Sequence, residues 1–258
     1  MTENKLNNKT YAVILAAGQG KRMNSDLPKV LHKVLGRPMI EYVLESAVNA
    51  GIKNIILVVG HKKELVEECV KNWILKNKNI DIQFSVQEEQ KGTGHAVMCA
   101  EKHIPKTNAF VAILLGDVPL IKFETIKNAI EKLNQEKAAM LIITMEPESP
   151  DGYGRIIRDK NGYVEKISED KDCSIEEKKV KEVNTGTFIY DAEYLVQSIN
   201  KINCNNAQSE YYLTDTVSIL VNQGKKVIAE KCKDMYEFTG VNSRDQLKFI
   251  EEKMGQAV

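Results

Sequence analysis

The chain lacks any cysteine arrangement that builds a disulfide framework or a metal site. Its five thiols, Cys69, Cys99, Cys173, Cys204 and Cys232, are odd in number and widely spaced, with no Cys-x-x-Cys and no Cys/His cluster. They read as reduced, buried thiols. Charge of one sign is missing too: 36 Lys and Arg face 36 Asp and Glu. No global field therefore draws nucleic acid or acidic membrane, and any anion site is local. No apolar run nears the ~20 residues of a membrane span. The polar opening MTENKLNNKT has no signal-peptide core. The expectation is a cytoplasmic protein with a disordered stretch over residues 1–10. Repeats and low-complexity linkers are absent as well. At 258 residues and 43% hydrophobic, the chain suits one large α/β domain with an excursion.

What is present is an alternation of strand-length apolar runs and amphipathic stretches. YAVILAA (11–17), IKNIILVVG (52–60), IDIQFSV (80–86), AFVAILLG (109–116) and AAMLIITM (138–145) are nearly continuous, which suits strands covered on both faces. Helical spacing connects them over 38–51, 62–73, 94–104 and 122–136, with Pro38 in the first turn and Gly51 at the C-terminal cap of the first. This order predicts a Rossmann-like α/β fold, with a mostly parallel central sheet and helices on both faces. After residue 150 the texture changes. RIIRDKNGYVEKISE reads as a β-hairpin with a type I′ turn at Asn161-Gly162, and the charged run 169–182 as a solvated helix or loop. A strand VNTGTFIYD, helices EYLVQSIN and YYLTDTVSILVNQG, and a strand KKVIAEK complete the chain. The predicted organisation is a first half (11–145), a smaller lobe containing the hairpin (146–215), and a return to the core with a C-terminal helix (216–258).

The segment LAAGQGKRMNSDLPK (15–29) follows the first strand and joins two glycines to Arg22 and Lys29. Ligands of open parallel sheets bind beyond the carboxyl ends of the strands. Glycines let backbone N–H groups approach an anion, and the cations supply full charge. The combination predicts a polyphosphate cradle. It is not a Walker loop, because Lys21 precedes Arg22 and the glycine spacing is wrong. It is not a dinucleotide fingerprint either, because position 23 is Met and VVGH ends the second strand without an acid. Asp117, after an apolar strand and a glycine, either meets a hard cation or caps the turn before Pro119. Lys21 reads as an ordinary exposed cation, and His32, His61, His95 and His103 as structural or surface residues.

AVILAAGQGKRMNSDLPKVLHKVL (12–35) resembles the signature loop of the sugar-1-phosphate nucleotidylyltransferases, in the branch of bacterial N-acetylglucosamine-1-phosphate uridylyltransferases. VQEEQKGTGHAV (86–97), LLGDVPLI (114–121), DGYGRI (151–156), EVNTGTFIYD (182–191), NNAQSEYYLTD (205–215) and TGVNSRDQL (239–247) resemble it in the same order.

The resemblance implies the nucleotide-diphospho-sugar transferase fold. It also implies transfer of UMP from UTP to N-acetylglucosamine 1-phosphate, giving UDP-N-acetylglucosamine, a cell-envelope precursor, and pyrophosphate. Arg22 and Lys29 would be catalytic, and Asp117 and Asn242 would hold Mg²⁺. Leu15, Ala16, Ala17, Gly18, Gln87, Gly92, Thr93 and Gly116 would bind the nucleotide. Gly154, Glu169, Asn184, Tyr212 and Thr214 would bind the sugar. Leu115 departs from relatives with a Tyr at that position. No hexapeptide repeat of the β-helix acetyltransferase domain usual in this branch is seen, so its trimerisation is not carried over, and the oligomeric state stays open. Two alternatives share these motifs: a nucleotidylyltransferase for another sugar 1-phosphate, and a catalytically silent nucleotide-sugar sensor.

Overall fold

A computed structural model describes residues 9–23 and 25–255. The expected disorder over residues 1–10 lies outside them except for Lys9 and Thr10, which already belong to strand β1 (Lys9–Ala16). A two-stranded ribbon, β2 (Lys33–Val34) and β3 (Arg37–Pro38), leads into α1 (Met39–Asn49). There follow β4 (Asn54–Val59), α2 (Lys63–Lys76), β5 (Asp81–Val86), α3 (Thr93–Ala100), β6 (Ala109–Leu115), α4 (Phe123–Glu136) and β7 (Met140–Met145). The second half comprises β8 (Arg155–Arg158), β9 (Val164–Ser168), β10 (Val183–Asp191), α5 (Ala192–Ile199), α6 (Asp215–Asn222), β11 (Val227–Lys231) and α7 (Arg244–Gly255).

The central sheet runs β11-β7-β10-β6-β1-β4-β5. All neighbours are parallel except β10, which is antiparallel to both β6 and β7. Side chains alternate across a strand, and β1 shows the result: Ala12, Ile14 and Ala16 face a core with α1, α2 and α4, while Val13 and Ala17 face one with α3, α5 and α6. A satellite cluster of Met23, Val34, Met39, Val241 and Ile250 joins the first loop to α7.

Several expectations are corrected. IDIQFSV forms an edge strand whose residues alternate in burial, since only β4 flanks it. Pro38 is the N-cap of α1 rather than a first-turn residue, whereas Gly51, at φ 92°, does follow its last turn. The stretch 94–104 is α-helical only to Ala100 and then tightens into a 3₁₀ turn. The hairpin turn is not type I′, which needs positive φ at both central residues. Here only Gly162 is positive, at 83°. Gly162 N bonds Asp159 O, Asp159 N bonds Tyr163 O, and the Asp159 carboxylate accepts from the Asn161 and Tyr163 amides, a longer loop closed by a glycine bulge. Over 169–182 there is a loop with one 3₁₀ turn. Finally, α6 starts at Asp215, so Tyr211–Thr214 is not its first turn. Within 146–215, β10 lies in the middle of the main sheet and α5 packs in its core. What projects from the sheet is 146–182 and 200–215.

Candidate active site

The chain ends of β1 and β6 bring the predicted charges together. Gly116 N bonds Leu15 O, so the two strands finish side by side and Asp117 emerges beside the loop after β1. A Cβ at Gly116 would meet Leu15 O and Val30 Cγ1 at 3.0 Å, which gives this glycine a packing role beside the cleft. Gly20 adopts φ 65°, and a Cβ there would lie 2.8 Å from Lys29 Cβ, so only glycine lets the loop close over Lys29. Gly18 has open space around its Cβ position. The bond from Val241 N to Asp117 O then delivers Asn242 from a strand-to-helix loop more than a hundred residues away.

Lys29 forms an ion pair with Asp117, both side chains being 16% exposed, and its Nζ donates to Asn242 Oδ1 at 2.6 Å. Arg22 Nη2 donates to the same oxygen at 3.1 Å. Burial of Met23 against Val241 and Ile250 holds Arg22 there; a fully buried Met contributes about 1.5–3 kcal/mol. The side chain of Lys21 lies outside the described residues. Asp117 Oδ2 and Asn242 Oδ1 therefore converge on one positive charge. Two hard oxygens aimed at a cation, with the rest of the shell left to phosphate and water, fit a Mg²⁺ ion. Among the described residues no cluster of three or more His, Cys, Asp and Glu offers an all-protein cage.

Beyond Lys29 a cleft of about 260 Å³ is lined by Leu15, Ala16, Ala17, Gly18, Gln87, Gly92 and Thr93, together with Lys29 and Asp117. Leu115, noted in the sequence as a departure from relatives with a Tyr, also lines it, as do Gln90 and Glu210, which are not among the expected site residues. Gly92 occupies φ 101° at the start of α3, and a Cβ would come within 2.6 Å of Tyr211 O. The reason is a backbone strap: Tyr211 N donates to Lys91 O, Gly94 N donates to Tyr211 O, and Leu213 N donates to the Thr93 hydroxyl oxygen at 3.3 Å. Buried Gln87 donates through Nε2 to Gly92 O at 3.0 Å and reaches His95 Nδ1 at 3.2 Å. His95, read from sequence as structural or surface, does not line the cleft and reaches it only through this contact with Gln87; no motif of ligand spacing could have marked the contact.

The strap continues into the projecting lobe. Thr214 Oγ1 donates to Glu169 Oε1 at 2.7 Å, and Tyr212 OH to Asp172 Oδ2 at 3.2 Å. Gly154 O accepts from Asn184 N at 2.8 Å, and a Cβ at Gly154 would approach Glu169 Oε2 at 3.4 Å. Asn184 Oδ1 accepts from Gly186 N, leaving the amide nitrogen for other partners. Gly154, Glu169, Asn184 and Thr214 thus adjoin one another, and Tyr212 joins them through Asp172. Burial raises the Glu169 carboxyl above the ordinary range; the Thr214 hydroxyl opposes this, and Asp215, Asp172 and Asp170 reinforce it. Leu115 bridges the two regions, lining the nucleotide cleft while its Cδ1 fills the space beside Gly186.

A mostly parallel sheet, helices on both faces and a cation-rimmed cleft at the strand ends define the nucleotide-diphospho-sugar transferase fold. A family model described as "Nucleotidyl transferase" matches residues 11–238, and the chain belongs to that family. It is 45% identical over 236 residues to the bifunctional protein GlmU of Acetivibrio thermocellus, covering 92% of this chain and 50% of that protein. It is 47% identical over 242 residues to the bifunctional protein GlmU of Clostridium beijerinckii, with coverage of 93% and 51%. The chain spans about half the length of these curated relatives. Among solved structures, a UDP-glucose pyrophosphorylase complexed with UDP-glucose superposes with a TM-score of 0.78 at 18% identity, over 97% of this chain and 100% of that one. A putative glucose-1-phosphate thymidylyltransferase from Bacillus anthracis gives 0.76 at 17%, over 96% of both chains. At such identities these two likenesses establish the fold alone.

Proposed function

We propose that the protein is a Mg²⁺-dependent N-acetylglucosamine-1-phosphate uridylyltransferase. It transfers UMP from UTP to N-acetylglucosamine 1-phosphate, forming UDP-N-acetylglucosamine and pyrophosphate in the cytoplasm. The observation that carries this reading is the convergence of Arg22 and Lys29 on Asn242 and Asp117 at the mouth of a cleft lined by the loop after β1.

The chemistry asks little of a base. A phosphate oxygen of the sugar 1-phosphate, already anionic, attacks the α-phosphorus of UTP as the bond to the β-phosphate oxygen breaks and pyrophosphate leaves. The barrier lies in bringing two polyanions together and in charge developing on the transferred group. Lys29 offers a compact ammonium to the α-phosphate and the incoming sugar phosphate. Arg22 offers a fork of donors to the departing pyrophosphate. When bound through Asp117 and Asn242, Mg²⁺ supplies further neutralisation of phosphate charge. Gln87 and the backbone of Leu15 to Gly18, Gly92 and Thr93 orient the nucleotide, with Gly116 packing beneath. Glu169 accepts from sugar hydroxyls, Asn184 and Gly154 add amide and backbone contacts, and Tyr212 and Thr214 close the acetyl side.

The test is release of pyrophosphate by the purified protein with Mg²⁺ and UTP, comparing N-acetylglucosamine 1-phosphate with glucose 1-phosphate. Faster release with the N-acetylated sugar is expected. A preference for glucose 1-phosphate would overturn the sugar assignment. No release with either, together with binding of UDP-sugar, would replace the enzyme by a sensor.

A further inference from the structure

Gln87 is 4% exposed, and its carboxamide lies between two fixed neighbours at the base end of the cleft. The Gly92 carbonyl, 3.0 Å away, can only accept, so the amide nitrogen must face it. That same nitrogen stands 3.2 Å from His95 Nδ1. An NH₂ group has no lone pair to offer, so Nδ1 must be the acceptor and the ring proton must reside on Nε2. Nε2 in turn lies 3.8 Å from Cys99 Sγ, a partner one helical turn along α3 that can receive it. The ring is flanked by Tyr211 of the strap, with centroids 6.2 Å apart. Both hydrogens of the Gln87 amide are thereby engaged. Among the described residues no donor reaches Oε1.

We propose that His95 is a positioning residue for base selection: with the Gly92 carbonyl, its Nδ1 locks the Gln87 amide so that Oε1 alone is presented to the base. This rests on the nucleotidyl transfer reading above. A fixed acceptor at this place welcomes the imide N3–H of uracil. Cytosine in the same pose presents an unprotonated N3, lone pair against lone pair. If Gln87 could rotate by half a turn, its NH₂ group would serve cytosine instead. The lock forbids that rotation, because it would set Oε1 against both Gly92 O and Nδ1. His95 itself touches neither the reacting phosphorus nor the sugar.

The test compares kcat/KM for UTP with that for CTP in wild type, His95→Leu and His95→Asn. Leu keeps volume and removes the acceptor; Asn places an oxygen near where Nδ1 stood. Leu should lower the UTP-to-CTP ratio roughly tenfold, the scale of one buried hydrogen bond, while the KM for sugar phosphate stays within about twofold. Asn should restore most of the ratio. Equal losses with both nucleotides, or equal behaviour of Leu and Asn, would overturn the proposal. Independently of turnover, ¹⁵N NMR of the wild-type protein should show His95 Nδ1 unprotonated and Nε2 protonated, and the opposite tautomer would overturn it. A wild-type protein that released no pyrophosphate would defeat the transfer reading, while the NMR result would still decide the lock.

Discussion

Replacing Lys29 by Ala tests whether this ammonium holds a place that a divalent cation also claims. Its Nζ lies between Asp117 Oδ2 and Asn242 Oδ1, the two oxygens that fit Mg²⁺. Opposite unit charges about 4 Å apart attract by about 4 kcal/mol at an effective dielectric of about 20. Both partners are 16% exposed, so screening and desolvation reduce the net competition to about 1–2 kcal/mol. Removing Lys29 should therefore tighten divalent binding to the nucleotide-free protein about tenfold. Turnover should move the other way, by roughly two to three orders of magnitude, because a preorganised donor to the phosphates is gone. Mn²⁺ titration followed by electron paramagnetic resonance reads the first effect, and pyrophosphate release the second. Weaker or unchanged Mn²⁺ binding in Lys29→Ala would refute the shared position. Unchanged turnover would refute the catalytic role and leave Lys29 as a structural ion pair.

Arg22→Ala should lower kcat by roughly two to three orders of magnitude with little change in stability, since Arg22 is exposed; steady-state pyrophosphate release checks this. Gly92→Ala introduces a Cβ at 2.6 Å from Tyr211 O and forces φ 101° on a side chain. The strained backbone and displaced strap should together cost about 2–4 kcal/mol, seen as a lower urea midpoint, and the KM values for both substrates should rise. The folded state holds the Glu169 proton more tightly than the unfolded chain does, because burial raises this carboxyl. Stability is therefore lost as pH climbs from the ordinary carboxylate range through the raised value. Glu169→Gln should flatten that part of the urea-midpoint profile against pH, and should raise the KM for sugar phosphate without changing that for UTP.

The main sheet was legible because its strands are apolar on both faces and their glycine and proline boundaries are local signals. β5 departs from this for a readable reason: IDIQFSV alternates, as an edge strand should. The turn at Asn161-Gly162 departs from type I′ because Asp159 captures the amides of Asn161 and Tyr163, a side-chain option that a dipeptide rule does not weigh. Tyr211–Thr214 carries helical spacing, but backbone bonds tie Tyr211 to Lys91 and Gly94 and a turn at Leu213 and Thr214 precedes the helix, so tertiary hydrogen bonds override the periodicity. Charges in the first loop could be recognised by type, yet nothing in spacing joins Arg22 to Asn242 across 220 positions. Met23 explains that join only once Val241 and Ile250 are seen around it. His95 was invisible for a different reason: its role depends on which amide atom faces Gly92, a matter of rotamer rather than sequence.

These contacts divide the cleft into two mechanically separate supports. Base and sugar sides share the strap at 210–214: its backbone brackets Gly92 and Gly94 at one end, and Thr214 grips Glu169 at the other. A shift of the strap must therefore disturb both substrates together, which is why Gly92→Ala acts on two KM values. The cation ring hangs instead from the satellite cluster under Met23 and α7 and from the Val241–Asp117 backbone bond. Removing a charge there leaves the strap in place, so Arg22→Ala should weaken the step in which charge develops while leaving the resting fit of base and sugar largely intact.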